Sequence, residues 1–509
     1  MTAVPLSRLT ALVFAAGVGA LATEIAASRL LAPYFGNSTV VWANVIGLVL
    51  ASLSLGYWLG GRLADRRPDP RVLGLVVAAA AVLVALTPFL ARPFLDLTVE
   101  GLDEVSTGAA IGSFFGVLVL FAPPVVLLGM VAPFAIRLGL ERVEAAGAVA
   151  GRLYAVSTIG SLLGTFLSAL VAIPLIGTQR TLLASAVLLA AAGATLLGSR
   201  WLALAVGLAA LMALPPGAVK ADEGLLYEDE SLYQFVQVVQ RGDSRRLYLD
   251  EGIAVHSVWR KDDVLTGGVW DTFLALPPLL GRPLERVAIL GNAGGTTARA
   301  MGVYYPGAEI DGVELDPAVT KAGRRYLGLG DNPRLYVHTA DARPFLRRSD
   351  GGYDLIVIDA YRPPYVPFYL ATREFFELVR KRLAPGGIVA LNVASVPDDK
   401  RLAHGIATTL ASELPAVWTW QALRFNQIVI GLERPLPRAE ISRRLGLVRG
   451  DLAPLTRLLA RDIQAARPSG DVWTDDRAPV EWITDRMIVE YAAEGGRLDE
   501  TPLPTEPQP

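Results

Sequence analysis

The stretch RVAILGNAGGTTAR, residues 286–299, joins an apolar run to a helical pattern through a glycine-rich turn. Missing side chains at Gly291, Gly294 and Gly295 let backbone amides approach a ligand closely. An ordinary tight turn between a strand and a helix has the same composition, so this stretch alone leaves both interpretations open. The residues that follow it along the chain decide between them.

Four further apolar runs follow this turn and alternate with helical patterns. The alternation predicts a mostly parallel, doubly wound α/β domain of Rossmann-like type, whose ligands lie at the carboxyl ends of the strands. The runs are EIDGVEL (309–315), RLYVH (334–338), YDLIVID (353–359) and GIVALNV (387–393), with helical stretches at 317–326 and 372–383. Beyond residue 392 the pattern predicts the final helix and strands, including 427–432, and no further chemistry.

A small antiparallel β-domain is predicted before this fold. The short runs FVQVVQ, RRLYLD and IAVHSVW have the composition of strands, and residues 241–244 have that of a hairpin turn. We place this β-domain at 220–260, the Rossmann-like domain at 261–495 and a disordered tail at 496–509.

Acidic residues stand at the ends of three successive predicted strands. Glu314 follows the glycine-rich turn by about twenty residues, where a carboxylate can accept hydrogen bonds from both hydroxyls of a ribose. Asp341, followed by Ala342, can accept a hydrogen bond from an adenine amino group, so the turn and these residues together predict an adenosine site. Asp359 ends the next strand and can act as a general base or hold an ammonium group.

The N-terminal half has the composition of a membrane protein. Charged residues are rare from residue 9 to about 214, and spanning a bilayer takes about 20 apolar helical residues. We therefore predict an all-α transmembrane bundle over residues 1–219. Its seven hydrophobic segments are 9–32, 40–63, 72–95, 109–136, 148–176, 181–198 and 201–214. Glu24 and Arg29 inside the first segment either line a transport path or pair with each other or with a neighbouring helix.

Arginine residues in short loops predict the orientation of this bundle in a cell membrane. Residues 61–71 carry Arg62, Arg66, Arg67 and Arg71, so this loop is expected in the cytoplasm, with the N-terminus on the same side. Seven full crossings would then put the soluble half outside, away from the cytosolic nucleotide pool. We expect the soluble half in the cytoplasm, with 201–214 interfacial or re-entrant, or with an eighth crossing at Pro123-Pro124.

Overall composition excludes several other functions. The chain has 509 residues, a net charge of −2, no cysteine and three histidines. Nucleic-acid binding needs a clustered basic excess, which this sequence lacks. Disulfide, iron–sulfur and zinc chemistry are not expected either, because their ligands are missing or scattered.

Residues 227–393 resemble the spermidine synthase (polyamine aminopropyltransferase) family, and more closely its membrane-fused bacterial members. The similar segments are ESLYQ (230–234), LDEG (249–252), GVWDTFLALPPLL (268–280), ILGNAGGTTAR (289–299), VELD (313–316), Asp341-Ala342 and LAPGG (383–387). The resemblance implies transfer of an aminopropyl group from decarboxylated S-adenosylmethionine to an amine, with release of 5′-methylthioadenosine. Decarboxylated S-adenosylmethionine is then a co-substrate, and no metal or other cofactor is expected.

The resemblance also assigns individual residues. Asp359 falls on the catalytic aspartate. The expected nucleotide contacts are Gln234, Gly291, Gly294, Gly295, Glu314, Asp341 and Ala342, and those on the amine side are Trp270, Asp271, Arg362 and Pro367. Trp270 replaces a histidine of the family, and Gly294 and Arg362 replace acidic residues. A guanidinium in place of a carboxylate disfavours a dication such as putrescine, so the acceptor amine stays open.

Two other functions remain open from the sequence. One is a membrane transporter or sensor whose soluble domain binds an adenosylated metabolite without turning it over. The other is a methyltransferase that uses intact S-adenosylmethionine, which Gln234 and the LDEG hairpin disfavour. The expected partners are an amine, an adenosyl ligand and the lipid bilayer, with a homo-oligomer possible.

Overall fold

The computed structural model describes residues 5–36, 38–102, 108–140, 142–214, 217–250, 254–361 and 365–494. The chain forms two compact units, Met1–Ala221 with Glu230–Phe235, and Asp222–Asp229 with Val236–Pro509. The composition placed the boundary at residue 219, but it gave no sign that 230–235 would group with the first unit. Arg362, the Glu251-Gly252 part of the LDEG segment and the tail at 496–509 lie outside the described residues.

The described part of the first unit is helical. Its helices are α1 Leu6–Phe35, α2 Thr39–Arg66, α3 Pro70–Leu102, α4 Gly108–Gly116, α5 Ala122–Gly129, α6 Val131–Gly139, α7 Ala146–Leu167, α8 Ile173–Leu197 and α9 Leu202–Leu211. Five helical runs among the described residues are long and apolar enough to cross a membrane.

The last of these runs, Val143–Leu197, has 55 residues. At a rise of about 1.5 Å per residue it would be about 80 Å long, far more than a bilayer needs. Its backbone is non-helical at Gly177, with φ 81° and ψ 164°, so it supplies two helices rather than one. This break agrees with the sequence prediction of separate segments at 148–176 and 181–198.

The two charged residues of the first hydrophobic segment do not pair with each other. Arg29 donates a hydrogen bond to the main-chain oxygen of Leu232 at 2.6 Å. No ion pair joins Glu24 to Arg29 in the part of the chain that the structure describes. Of the alternatives that the sequence left open, the structure does not show pairing between these two residues, and Arg29 instead contacts the segment 230–235.

A small sheet precedes the larger one, as the sequence predicted. Its strands are β1 Leu225–Glu230, β2 Phe235–Arg241, β3 Ser244–Leu249 and β4 Val255–Arg260, in the order β1-β2-β3-β4. β2 pairs antiparallel with β3, and β3 with β4. The turn between β2 and β3 falls at the predicted residues 241–244, where Gly242 has φ 54°.

The main sheet of the second unit has eight strands in the order β12-β10-β11-β9-β8-β5-β6-β7. They are β5 Arg286–Leu290, β6 Glu309–Glu314, β7 Leu335–Thr339, β8 Tyr353–Ile358, β9 Leu383–Ala394, β10 Ala416–Leu423, β11 Asn426–Leu432 and β12 Gln464–Ala465. The pairs among β7, β6, β5, β8 and β9 are parallel, whereas β11 and β10 are antiparallel additions.

Helices cover both faces of this sheet and bury its apolar residues. They are α10 Val269–Thr272, α11 Thr296–Tyr304, α12 Pro317–Tyr326, α13 Ala342–Arg348, α14 Arg373–Arg382, α15 Arg401–Ala411, α16 Arg438–Gly446, α17 Ala453–Asp462 and α18 Val480–Ala493. Alternate residues of one strand enter different cores: Val287 and Ile289 join one cluster, and Ala288 and Leu290 the other. Such two-sided burial explains why β5 is a continuous apolar run in the sequence.

Candidate active site

The site lies at the carboxyl edge of the main sheet, where the direction of strand addition reverses. From β5 the chain continues outward through β6 and β7 and then returns to β8 on the other side of β5. The loops after β5 and β8 diverge at such a switch point and leave a crevice for a ligand. The predicted glycine turn follows β5 and the predicted base follows β8, so the structure brings these two elements together.

Gly291 and Asp359 are in direct backbone contact. The amide of Asp359 donates to the carbonyl oxygen of Leu290 at 2.8 Å. Gly291 has φ 93°, and a Cβ atom there would lie 2.4 Å from the carbonyl oxygen of Asp359. Glycine is therefore required at 291 both by the backbone conformation and by the closeness of the catalytic candidate.

Asp359 has the electrostatics expected of a base. Burial raises the pKa of its carboxyl group to about 7, although a hydrogen bond from Asn392 opposes this shift. The Nδ2 atom of Asn392 donates to Oδ1 of Asp359 at 2.9 Å. A carboxyl group with a pKa near neutrality can both accept and release a proton under physiological conditions.

Sequence reasoning missed the polar residues that surround Asp359. Asn392 is only 5% exposed and lies in β9, next to β8. Its Oδ1 accepts a hydrogen bond from Asn426, and its main-chain oxygen accepts one from the Tyr361 hydroxyl, each at 3.0 Å. A polar residue in the otherwise apolar run IVALNVA was a usable signal, because buried amides need partners.

Glu314 holds the glycine-rich loop. Its Oε2 accepts a hydrogen bond from the amide of Ala293 at 3.0 Å, and its Oε1 accepts one from the amide of Asp316 at 2.9 Å. Ala293 has φ 44°, an uncommon conformation for a residue other than glycine, and such outliers are frequent at functional sites. Burial raises the pKa of Glu314 to about 7, although backbone hydrogen bonds oppose this shift. A carboxylate has about four acceptor sites in all, so this one can also accept from a ribose hydroxyl.

Asp341 is fixed in place on the next strand end. Its Oδ1 caps α13 by accepting from the amide of Arg343 at 3.0 Å, and its Oδ2 accepts from the Tyr369 hydroxyl at 2.9 Å. The amide of Ala340 donates to the carbonyl oxygen of Glu314 at 3.0 Å, which ties the two strand ends together. Ala342, the first residue of α13, is buried.

Gly294 is closely packed against two side chains. Its amide donates to the Ser257 hydroxyl at 2.8 Å, and a Cβ atom at 294 would lie 2.4 Å from Cδ1 of Leu327. A side chain at 294 would therefore have to displace those of Leu327 and Ser257, and the amide that was predicted to contact a ligand donates to Ser257. Gly295 has φ 88° and precedes α11, as the tight turn requires.

Asp271 serves its own loop. The carboxylate is 2% exposed and accepts hydrogen bonds from the amides of Thr266 and Gly267 and from the Thr266 hydroxyl, at 2.8–3.2 Å. Burial raises its pKa to about 6. These contacts give Asp271 a structural role and do not support the predicted contact with an amine.

The other two described residues of the predicted amine side lie on separate elements. The half-buried Trp270 packs against the apolar core beneath the sheet. Pro367 precedes a short helical turn, Phe368–Leu370. Gln234 belongs to the segment that groups with the first unit, where its amide donates to the Ser231 hydroxyl at 3.0 Å. The ligand contacts assigned to these residues stay predictions.

No group of three or more histidine, aspartate or glutamate side chains in the described ranges could hold a metal ion.

Comparison with known proteins identifies the same part of the chain. Residues 273–417 match the family model described as the spermine/spermidine synthase domain. A probable polyamine aminopropyl transferase of Bifidobacterium longum is 37% identical over 193 residues, which is 38% of this chain and 42% of that protein. A polyamine aminopropyltransferase of Vibrio vulnificus is 31% identical over 179 residues, 34% of this chain and 60% of that protein. This chain thus spans about half the length of these two relatives.

One match extends into the N-terminal half. A polyamine aminopropyltransferase of Corynebacterium efficiens is 28% identical over 415 residues, covering 72% of this chain and 78% of that protein. Among solved structures, a probable spermidine synthase from Corynebacterium glutamicum has 18% identity and a TM-score of 0.39, covering 57% of this chain and 100% of its own. The sequence matches confirm the resemblance to spermidine synthases.

Proposed function

We propose that this chain, which carries a spermine/spermidine synthase domain at 273–417, is a membrane-tethered aminopropyltransferase. It transfers an aminopropyl group from decarboxylated S-adenosylmethionine to an amine and releases 5′-methylthioadenosine. The observation that carries the proposal is the meeting of Asp359 and the glycine-rich loop at the switch point of the sheet.

Asp359 is the proposed general base. An alkylammonium with a pKa of about 10 is almost fully protonated at neutral pH and must lose a proton before its nitrogen can attack. With a pKa of about 7, Asp359 is partly ionised at neutral pH. Because burial raises its pKa, it is a stronger base than an exposed aspartate. The pKa values of the ammonium and of Asp359 differ by about 3 units, so moving the proton to Asp359 costs about 4 kcal/mol. Desolvation of the ammonium in a closed pocket lowers its pKa and so reduces this cost.

The transfer itself needs positioning more than further chemistry. The amine nitrogen forms a bond to the carbon next to the sulfonium, the carbon–sulfur bond breaks, and its electron pair neutralises the sulfur. The ammonium proton passes to Asp359. Because the leaving group is a neutral thioether, holding the two reactants in line supplies most of the catalysis.

The nucleotide is proposed to bind across β5, β6 and β7. Glu314 accepts the ribose hydroxyls, Gly291 and the rest of the loop lie against the thioadenosine, and Asp341 with Ala342 borders the adenine. The support for this arrangement is the chain of hydrogen bonds from Ala293 to Glu314 and from Ala340 to Glu314. Gln234 remains a proposed contact of the same ligand.

The acceptor is proposed to be an amine other than putrescine. Asp271 is buried in its own loop, and position 294, which is acidic in the family that the chain resembles, is a closely packed glycine. These features remove two of the carboxylates that would hold the second ammonium of a diamine. A monoamine places only one charge beside Asp359 and needs no second acidic partner.

The activity is tested by incubating the full-length protein in detergent with decarboxylated S-adenosylmethionine and a panel of monoamines and diamines. We expect release of methylthioadenosine that depends on both the amine and Asp359, with Asp359→Asn as the inactive control. Nucleotide binding without release with any amine would favour the sensor or transporter function instead. Release of S-adenosylhomocysteine from intact S-adenosylmethionine would indicate a methyltransferase.

The tethering rests on the apolar helices of the first unit, and a homo-oligomer stays a prediction. Reconstitution tests the tether: the protein should stay with the lipid after washing with alkaline carbonate, which strips peripheral proteins.

A further inference from the structure

The amide of Asn392 links the base to a second asparagine. Its Nδ2 donates to Oδ1 of Asp359 at 2.9 Å, while its Oδ1 accepts from Nδ2 of Asn426 at 3.0 Å. The three residues lie at the ends of the neighbouring strands β8, β9 and β11. The side chains thus form one line of hydrogen bonds across the carboxyl edge of the sheet.

The direction of these bonds depends on Asn426. An amide side chain has a donating and an accepting end, and a half-turn exchanges them. A carboxylate needs the donating end of Asn392, because the amide oxygen facing it would be repelled. Asn426 donates to the other end and so favours the orientation in which the nitrogen of Asn392 points at Asp359.

The backbone fixes Asn426 in this position. It begins β11 and pairs with Ala394 of β9, two residues beyond Asn392. Gln421 lies in the same hairpin and donates to the main-chain oxygens of Leu423 at 2.8 Å and of Asn426 at 3.5 Å, not to the Asn426 side chain. Gln421 has no hydrogen bond to Asn392 among the described residues, which makes it a matched control.

We propose that Asn426 is a positioning residue for the transfer reaction, which orients the Asn392 amide so that Asp359 accepts its hydrogen bond as a carboxylate. This inference rests on the proposed function of Asp359. Tyr361 is the other titratable group that faces Asp359 among the described residues, and burial keeps its pKa well above 10, so it stays neutral.

Asn426→Ala frees the Asn392 amide to turn, which withdraws a hydrogen bond that lowers the pKa of Asp359. We expect the acidic limb of the pH profile of kcat to move to higher pH, and kcat at neutral pH to fall about 10-fold, with KM for the nucleotide unchanged. Asn426→Asp should have a larger effect, because an ionised side chain there accepts from Asn392 and turns its oxygen toward Asp359. Asn426→Gln keeps the donor and should restore part of the activity.

The control variant Gln421→Ala perturbs the same hairpin and should leave the pH limb in place. A pH limb that Asn426→Ala does not move, or that Gln421→Ala moves equally, would overturn the proposal. Infrared titration of the Asp359 carboxyl band, assigned by difference from Asp359→Asn, gives the same shift without turnover. The infrared titration therefore distinguishes a failure of this inference from a failure of the proposed activity.

A second inference concerns the first unit and rests on where its arginines lie. Three contacts bring helix ends together at one end of the bundle. They join the end of α2 to the end of α6, the start of α3 to the end of α8, and the end of α6 to the start of α1. Asp65 pairs with Arg137 at 3.3 Å, Gly74 lies against Leu197, and Gly139 lies against Leu6. The arginines at this end are Arg8, Arg62, Arg66, Arg67, Arg71, Arg137, Arg142, Arg152 and Arg200.

The chain leaves the bundle at the other end. The Tyr34 hydroxyl, in the last turn of α1, donates to the main-chain oxygen of Val219 at 2.8 Å. The amide of Thr178, directly after the break in α8, donates to the Glu230 carboxylate at 2.6 Å. The helices at this end carry Arg29, Arg92 and Arg180, far fewer than the nine arginines of the opposite end.

We infer that Val219 and Glu230 lie on the non-cytoplasmic side of the membrane, since arginine-rich loops stay in the cytoplasm. Residues 199–219 therefore return to the end of the bundle where α1 finishes, rather than staying at the arginine-rich end.

The chain has no cysteine, so single cysteines report the side directly. Val143→Cys and Leu232→Cys place a thiol at residues that are 80% and 48% exposed. In right-side-out membrane vesicles, a membrane-impermeant maleimide should label the Leu232→Cys variant at once and the Val143→Cys variant only after lysis. The reverse order, or protection of both thiols until lysis, would overturn the assignment.

Discussion

Replacement of Gly291 by alanine tests whether the glycine-rich loop positions the base. A Cβ atom at 291 would lie 2.4 Å from the carbonyl oxygen of Asp359, whereas ordinary van der Waals contact begins at 3.4 Å. The Asp359 backbone must therefore move by about 1 Å, or the loop by the same amount. A displacement of about 1 Å can cost about 100-fold in rate when the moved group must meet the reacting atoms.

The same substitution also strains the backbone, because φ at 291 is 93°. A residue with a side chain in such a conformation costs about 1–3 kcal/mol of stability, which lowers Tm by several degrees. We expect Gly291→Ala to fold, to bind methylthioadenosine less tightly and to release it at about 1% of the wild-type kcat.

The control for this prediction is Gly307→Ala, since no atom lies within 4 Å of a Cβ atom at 307. Release of methylthioadenosine and thermal unfolding should be measured on both variants at the same pH. A Gly291→Ala protein with wild-type kcat and Tm would refute the proposed contact between the loop and Asp359.

Three further predictions concern the charges and packing of the site. Asp359→Asn should abolish transfer and leave the affinity for methylthioadenosine unchanged. In the wild type, the rate should rise with pH through about 7 and then level off. The reason is that the carboxylate is the active form and burial raises its pKa to about 7. A rate that is flat between pH 5 and 9 would contradict the assigned role. Glu314→Gln should weaken binding of methylthioadenosine about 10-fold to 100-fold in calorimetry, since it removes a charged acceptor, and equal affinity would exclude the ribose contact. Gly294→Asp should lower Tm, because it forces Leu327 out of place, and it should not create activity with putrescine. A stable variant that gains activity with putrescine would contradict this prediction.

The central strands β5 and β8 could be predicted closely because they are buried on both faces. The apolar run 286–290 coincides with β5, and helix α12 falls on the predicted residues 317–326. A parallel strand between two helical layers must be apolar throughout, and its polar flanks mark where it ends. The same rule located Glu314, Asp341 and Asp359, since side chains that end parallel strands share one edge of the sheet.

The contacts that depend on tertiary packing could not be predicted in the same way. Asn426 reaches Asn392 only through the antiparallel register of β11 with β9, which follows a hairpin that the composition did not reveal. No chemistry was expected beyond residue 392, so the sequence did not suggest the positioning role that is proposed for Asn426. Asp271 has the residue type expected near an amine, but its burial against Thr266 and Gly267 is invisible in a single sequence.

The measurement that tests the central claim most directly is a calorimetric titration of the full-length protein with methylthioadenosine. The proposed site predicts one ligand per chain, with affinity weakened by Glu314→Gln and unaffected by Asp359→Asn. Absence of heat and of saturable binding in the folded wild-type protein would contradict an adenosine thioether pocket at this edge of the sheet.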